Sequence, residues 1–518
     1  MDKEAIKEVK IGEDGKALHI HLDDKKVLSF HAIWLWQNDP KNYMVPSGQK
    51  IHPISSWKSS TFIESCSVER SGNLDDKMNF ATKAGSIHSL NTFSSGPQIS
   101  EDSEDMSYFI NIKWGSTHTC DSSENHELRS SFHLQWLYDW SCHHDNLNDT
   151  RLKREVTPDH TFMAKYRLAC TNQDTDGNLK RQEHNGLLSF DYEDIMIGSD
   201  DTNFASNEKV LSFLDAIMLD GAAIVKNAPD TCGVEFPDEI VSNVGKLISG
   251  GSLSHGSLYG DTFHVKSIKN AINVAYTSEN LPLHQDLAYY ESKPGFQLLH
   301  CASMPNDIVG GESLLFDCMA AAHHLRILAP DLFETLVTCP ATFVKEREGA
   351  RMTYTRPHIV LQVDGSSLDN MNREIVAVHW APAFEGPLRL SIDKMEKYHQ
   401  AYSAFELMLE NTKCSKECSE TTGLPLALTS KLSSYANEFT WEYKLKQGEI
   451  LVFNNTRMLH GRRAFTQSNN AQSSNCRHLI GAYTHIDDSL NRYRCLLKQL
   501  GKSKDIPNVG NGSTSVLP

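Results

Sequence analysis

Apolar and polar residues alternate with a period of two near the start of the chain, in Ala17-Leu18-His19-Ile20-His21-Leu22 and again in Val27-Leu28-Ser29-Phe30. That period turns every second side chain to one face and predicts half-buried strands. From about Ser55 to Asp105 the pattern dissolves into Ser, Asn, Gly and charged residues, the composition of a disordered insertion or long loop. Strand character returns in Tyr108-Phe109-Ile110-Asn111-Ile112-Lys113-Trp114, and a helical pattern follows around Phe132 to Leu137. These pieces predict a small β-rich N-terminal domain over residues 1–145. No internal repeat stands out. Residues 146–185 are polar and read as a linker with local structure.

Further on, a helix over Val210 to Ile217 runs into Asp220-Gly221, a stop signal, and Ala222 to Val225 reads as a buried strand. Short apolar runs follow at Phe296 to Cys301, Ser313 to Phe316, His358 to Val363, Ile375 to Trp380 and Ile450 to Asn454. Helical segments interrupt them near Met319 to Leu328 and Lys394 to Glu410. Many short strands with few long helices predict a mainly β domain over 186–500. The expected form is a jelly roll, or double-stranded β-helix, whose mouth can hold a metal. Residues 501–518 are rich in Gly, Ser and Asn and read as a disordered tail.

Composition narrows the possibilities. The 518 residues carry a formal charge of -16, which argues against a nucleic-acid surface and mildly favours a cationic substrate. No apolar run reaches the roughly 18 residues needed to span a bilayer. The start of the chain has neither signal-peptide nor transit-peptide character, so the expected location is cytoplasmic. Twelve cysteines without a repeating spacing suggest reduced thiols. The sequon at Asn454 lies in the apolar approach to His460, which argues against glycosylation there.

The candidate chemistry lies in His284-Gln285-Asp286 and, far downstream, His460-Gly461. Along a strand, residues i and i+2 share a face, so His284 and Asp286 would stand side by side with Gln285 turned away. With His460 they make a 2-His-1-carboxylate set, which holds Fe(II) on one face and leaves the other open to substrate and O₂. An H-x-D by itself is common, and His460 is one of 24 histidines, so the ordered set carries the weight. If 2-oxoglutarate is the cosubstrate, its far carboxylate calls for a guanidinium, and Arg477 stands suitably downstream. Ser313 could add a hydroxyl. Taken alone, Arg477 reads as a surface ion pair and Ser313 as a turn residue after Gly310-Gly311. Tyr259, Phe263, Tyr276 and Tyr483 could hold a quaternary ammonium by cation–π attraction, although scattered aromatics more often pack a core.

The ordered series Asn273-Val274-Ala275-Tyr276-Thr277, His284-x-Asp286, Pro294-Gly295-Phe296-Gln297-Leu298-Leu299-His300-Cys301, Gly310-Gly311-Glu312-Ser313, Leu459-His460-Gly461-Arg462-Arg463 and Arg477-His478-Leu479-Ile480-Gly481-Ala482-Tyr483 resembles the γ-butyrobetaine dioxygenase and trimethyllysine dioxygenase family of Fe(II)/2-oxoglutarate-dependent oxygenases. The resemblance covers about residues 186 to 500. It implies His284, Asp286 and His460 as iron ligands, Arg477 as the 2-oxoglutarate partner, and Tyr259, Phe263, Tyr276 and Tyr483 as a trimethylammonium cage. Asn273 matches a substrate-carboxylate contact and leans the expectation toward γ-butyrobetaine and carnitine biosynthesis. The resemblance also implies ascorbate as reductant and a homodimer.

The chain departs from the family in several places. Phe263 stands where the family usually has Trp. His379, Ala381 and Pro382 stand where it often has substrate-binding Asn residues. In the N-terminal domain, Asp39, Lys41 and Met44 replace the cysteines of a structural zinc site, so zinc is not expected there. The clusters Cys142-His143-His144 and Cys414-x-x-x-Cys418 read as ordinary loop residues. Three alternatives stay open: a trimethyllysine hydroxylase or other small-molecule dioxygenase, a non-catalytic ligand-binding relative, and a zinc hydrolase using the same triad.

Overall fold

The computed structural model describes residues 6–12, 14–23, 25–42, 61–71, 107–116, 128–141, 154–170, 183–196, 204–229, 237–254, 258–266, 276–347, 350–362, 369–410, 419, 422–467, 476–502 and 504. Cys142-His143-His144, Met44, Asn273, Cys414 and Cys418 lie outside them, as do most of the expected insertion and tail.

Six strands form the N-terminal part, β1 (Ile6–Ile11), β2 (Ala17–Leu22), β3 (Val27–His31), β4 (Thr61–Ser71), β5 (Ser107–Ser116) and β6 (Arg129–His133). They make two antiparallel three-stranded sheets, β1-β2-β3 and β4-β5-β6. β4 corrects the expectation of a structureless segment from Ser55 onward: its Ser- and Glu-rich face is exposed, which hid the strand from a hydrophobicity reading.

The two sheets share a repeated segment, where none stands out in the sequence. Ser29-Phe30-His31-Ala32-Ile33-Trp34-Leu35 and Ser131-Phe132-His133-Leu134-Gln135-Trp136-Leu137 each end a strand and start a short helix. In each, the His side chain caps the helix by accepting from a backbone N–H at 3.2 Å. In each the Leu is fully buried, and Trp34 and Trp136 meet with ring centroids 5.4 Å apart.

The larger part is a jelly roll of two sheets. β7 (Ser189–Asp191), β8 (Ala222–Lys226), β9 (Thr262–Lys266), β10 (Leu281–His284), β11 (Phe296–Ser303), β12 (Val309–Gly310) and β13 (Ser313–Asp317) come first. Two hairpin pairs follow, β14 (Pro340–Arg347) with β15 (Ala350–Pro357) and β16 (Ile359–Leu361) with β17 (Ile375–Val378). β18 (Thr440–Tyr443), β19 (Ile450–Asn454), β20 (Met458–Arg462), β21 (Phe465–Thr466) and β22 (His478–Thr484) complete the set. The major sheet runs β7-β8-β19-β11-β22-β9 and the minor sheet β10-β20-β13-β18.

Burial on both faces explains the continuous apolar runs. On β11 and β19, Leu298 and Val452 pack against the helices Asp238–Ser249 and Ile486–Gln499, while Leu299, Leu451 and Phe453 face the minor sheet. The minor sheet's outer face carries Leu314, Phe316 and Leu459, covered by the helices Cys318–Leu328, Ile392–Leu409 and Leu426–Phe439.

Part of the expected linker packs on this jelly roll. Val156 and Phe162 are buried in its cores, and Glu155 forms a buried ion pair with Arg326. Cys66, Cys301, Cys318, Cys339, Cys476 and Cys495 are free, and Asn454 is buried. No helix among the described residues is long and apolar enough to cross a membrane.

Candidate metal centre

β10 and β20 run antiparallel with His284 opposite His460, so register alone brings together two residues 176 positions apart in the chain. Gly461 permits this approach, because a Cβ there would lie 2.7 Å from the Leu281 carbonyl oxygen. β10 ends at His284, and the chain turns through Leu287 with φ 59°. The expectation that strand alternation pairs His284 with Asp286 is therefore corrected: a turn delivers the carboxylate.

The ligand atoms of His284, Asp286 and His460 lie within 4.8 Å of one another. Asp286 Oδ1 is 3.4 Å from His284 Nε2, and its Oδ2 is 3.7 Å from His460 Nε2. His284 Nδ1 donates to the Pro282 carbonyl at 2.8 Å, leaving Nε2 with the lone pair a metal needs. Burial and the neighbouring His284 push His460 down to about 3, so it stays neutral as a ligand must. Burial opposes the Asp286 charge, but both imidazoles and the Tyr483 hydroxyl outweigh it and hold the carboxyl far below the usual range. The donor set and its one-sided arrangement fit a divalent iron.

Further residues, of which the sequence pointed to Tyr483 alone, support these three. Gln297 Nε2 and the Tyr483 hydroxyl donate to Asp286 Oδ2 at 2.8 and 2.7 Å. The Asn455 side chain accepts from the Asp286 backbone N–H and donates to the carbonyls of Asp286 and Pro294. Gln285 is fully buried on the far side, where it accepts from Lys293 Nζ at 2.9 Å and from Trp380 N at 3.3 Å.

The triad opens into a pocket. Tyr259, Phe263, Tyr276, Ser313, Arg477 and Tyr483 line it together with His284, Asp286 and His460. Phe263 stacks on Tyr483 with centroids 4.9 Å apart, and Tyr259 lies 5.7 Å from Phe263. Arg477 is buried, and its Nε has no partner among the described residues. Burial and nearby Arg462 push it down to about 10, still charged at neutral pH. Of the expected site residues, only Asn273 is missing from this picture, since it lies outside the described residues.

Known proteins share parts of this sequence. Gamma-butyrobetaine dioxygenase of Pseudomonas sp. (strain AK-1) is 30% identical over 236 residues, 46% of this chain and 51% of that protein. Human mitochondrial trimethyllysine dioxygenase is 28% identical over 292 residues, 56% of this chain and 58% of that protein. The chain thus spans little more than half the length of these relatives. A crystal structure of asparagine oxygenase superposes with a TM-score of 0.39 at 13% identity, covering 57% of this chain and 93% of that one. The model of the taurine catabolism dioxygenase TauD, TfdA family matches residues 196–483, more than half of the chain and all three triad residues, and the chain belongs to that family.

Proposed function

We propose that the protein hydroxylates a C–H bond of a small trimethylammonium substrate, γ-butyrobetaine in the first instance, yielding carnitine. The observation that carries the reading is a single pocket with the triad, a buried guanidinium and four aromatic residues on its walls. His284, Asp286 and His460 would hold iron, which with 2-oxoglutarate and O₂ supplies the oxidising chemistry, giving CO₂ and succinate as co-products. Arg477 would hold the far carboxylate of 2-oxoglutarate, with Ser313 beside it. Tyr259, Phe263, Tyr276 and Tyr483 would fix the ammonium group so that one carbon faces the metal, an orientation effect. No side chain acts as a general base, and the apolar walls exclude water. Ascorbate stimulation and a homodimer come with the family resemblance, and a cytoplasmic location, suggested by the scattered cysteines, belongs to the same proposal.

The relatives include proteins named for both γ-butyrobetaine and trimethyllysine, so trimethyllysine is the second reading. The test is succinate formation from 2-oxoglutarate with Fe(II) and ascorbate, with either substrate or none. Strong stimulation by γ-butyrobetaine, with carnitine appearing, is the expected result. Stimulation by trimethyllysine alone would keep the chemistry and change the substrate. Failure to bind iron would overturn the proposal.

A further inference from the structure

Two histidines and a carboxylate meet on the opposite face of the major sheet. His264 on β9 and His478 on β22 stack with centroids 5.1 Å apart, and His264 Nδ1 lies 2.9 Å from His478 Nε2. Strand alternation sends these two rings outward, away from the pocket wall that Phe263 and Arg477 line. On the far side of His264, Asp238 Oδ2 is 3.5 Å from Nε2, and the Thr262 hydroxyl donates to that same oxygen at 2.7 Å.

The carboxylate favours the proton on His264 Nε2 and leaves the Nδ1 lone pair aimed at His478. A carboxylate behind an imidazole is the arrangement that orients histidine ligands in metal proteins. Two imidazole nitrogens on one tetrahedral zinc, at about 2.0–2.1 Å each, stand about 3.3 Å apart. The observed pair needs to open by a few tenths of an ångström and to turn so that both lone pairs converge on one ion. Both rings are partly exposed, which gives an ion an entry path.

We propose that His264 and His478 form a second site for a divalent transition ion of the imidazole-binding class, such as Zn(II) or Cu(II), with Asp238 as the positioning residue. Water completes the coordination, and Lys266 close to His478 opposes the added charge. The site is therefore weaker than a closed structural zinc centre.

The test uses the metal-free full chain carrying His284→Ala and His460→Ala, so that the triad cannot compete. Titration with Zn(II) by calorimetry, with bound metal counted, is expected to give one equivalent of micromolar affinity. Adding His264→Gln should remove it, and adding Asp238→Asn should weaken it about tenfold. The Cu(II) resonance spectrum should lose the coupling of one nitrogen in His264→Gln. Because His264 is half exposed, its replacement leaves the fold in place, and the comparison can be repeated with the triad intact as the loss of one of two equivalents. Unchanged stoichiometry, affinity and spectrum in His264→Gln would mean that the pair is only a hydrogen bond between strands.

Discussion

Asp286 Oδ2 accepts two hydrogen bonds, from Gln297 and Tyr483, while the two carboxylate oxygens face one imidazole each. Tyr483→Phe keeps the ring and removes one donor, so it separates orientation of the ligand from shaping of the pocket. Losing a partner behind a metal ligand typically costs about 10- to 100-fold in metal affinity. With Gln297 still in place, the lower end is expected: Fe(II) binding weakens about tenfold while KM for substrate changes little. An unchanged iron affinity would show that Gln297 alone orients the carboxylate. Lys293, behind Gln285, gives a second residue-scale prediction. Burial pushes its ammonium from the ordinary 10.5 down to about 7. Between those values the unfolded chain holds a proton that the folded chain has released, so stability rises with pH across that window. Lys293→Met removes this dependence. Between about pH 7 and 9 the parent's Tm should therefore rise relative to the variant's; a difference that stays constant with pH would sink the idea.

Single residues owe these positions to the pairing of strands. Gly481 on β22 lies opposite Phe263 on β9, and a Cβ at 481 would meet the Phe263 ring at 2.1 Å. A rigid ring cannot yield by that much without leaving the pocket wall. Gly481→Ala should therefore raise KM for substrate about tenfold or more, a loss of about 1.4 kcal/mol, and leave iron binding intact. Equal KM values, measured by succinate release, would place Phe263 outside the substrate contact. Strand pairing also separates the residues legible in the sequence from the rest. Runs such as Ile450-Leu451-Val452-Phe453 announce strands buried on both faces, and His284-x-Asp286 announces its chemistry by composition. Gln297, Asn455 and Lys293 carry no such mark, because their roles exist only once β11, the turn after β19 and the segment around Val378 close around Asp286. β4 was hidden by its polar outer face. The paired Ser-Phe-His segments were legible in the letters, but their meaning needed the two sheets.

At the scale of the whole molecule, the boundary of the jelly roll falls earlier than the polar composition of residues 146–185 suggests. Phe162 fills the core beneath Trp441, and the Trp441 indole donates to the His184 carbonyl at 2.9 Å. His184 is itself buried against Glu449 at 3.0 Å, and Glu155 closes on Arg326. A chain starting at residue 186 would lose all of these partners at once. Each fully buried large apolar side chain is worth about 1.5–3 kcal/mol. Leaving a buried Arg326 without its carboxylate costs a further ~3–5 kcal/mol. Against a domain stability of about 5–15 kcal/mol, those losses are enough to unfold it. A chain of residues 154–504 should therefore melt cooperatively and bind Fe(II), whereas residues 186–504 should melt many degrees lower or aggregate. Equal melting temperatures for the two would mean that the 154–185 segment only rests on the surface, and that residue 186 is the true start of the folding unit.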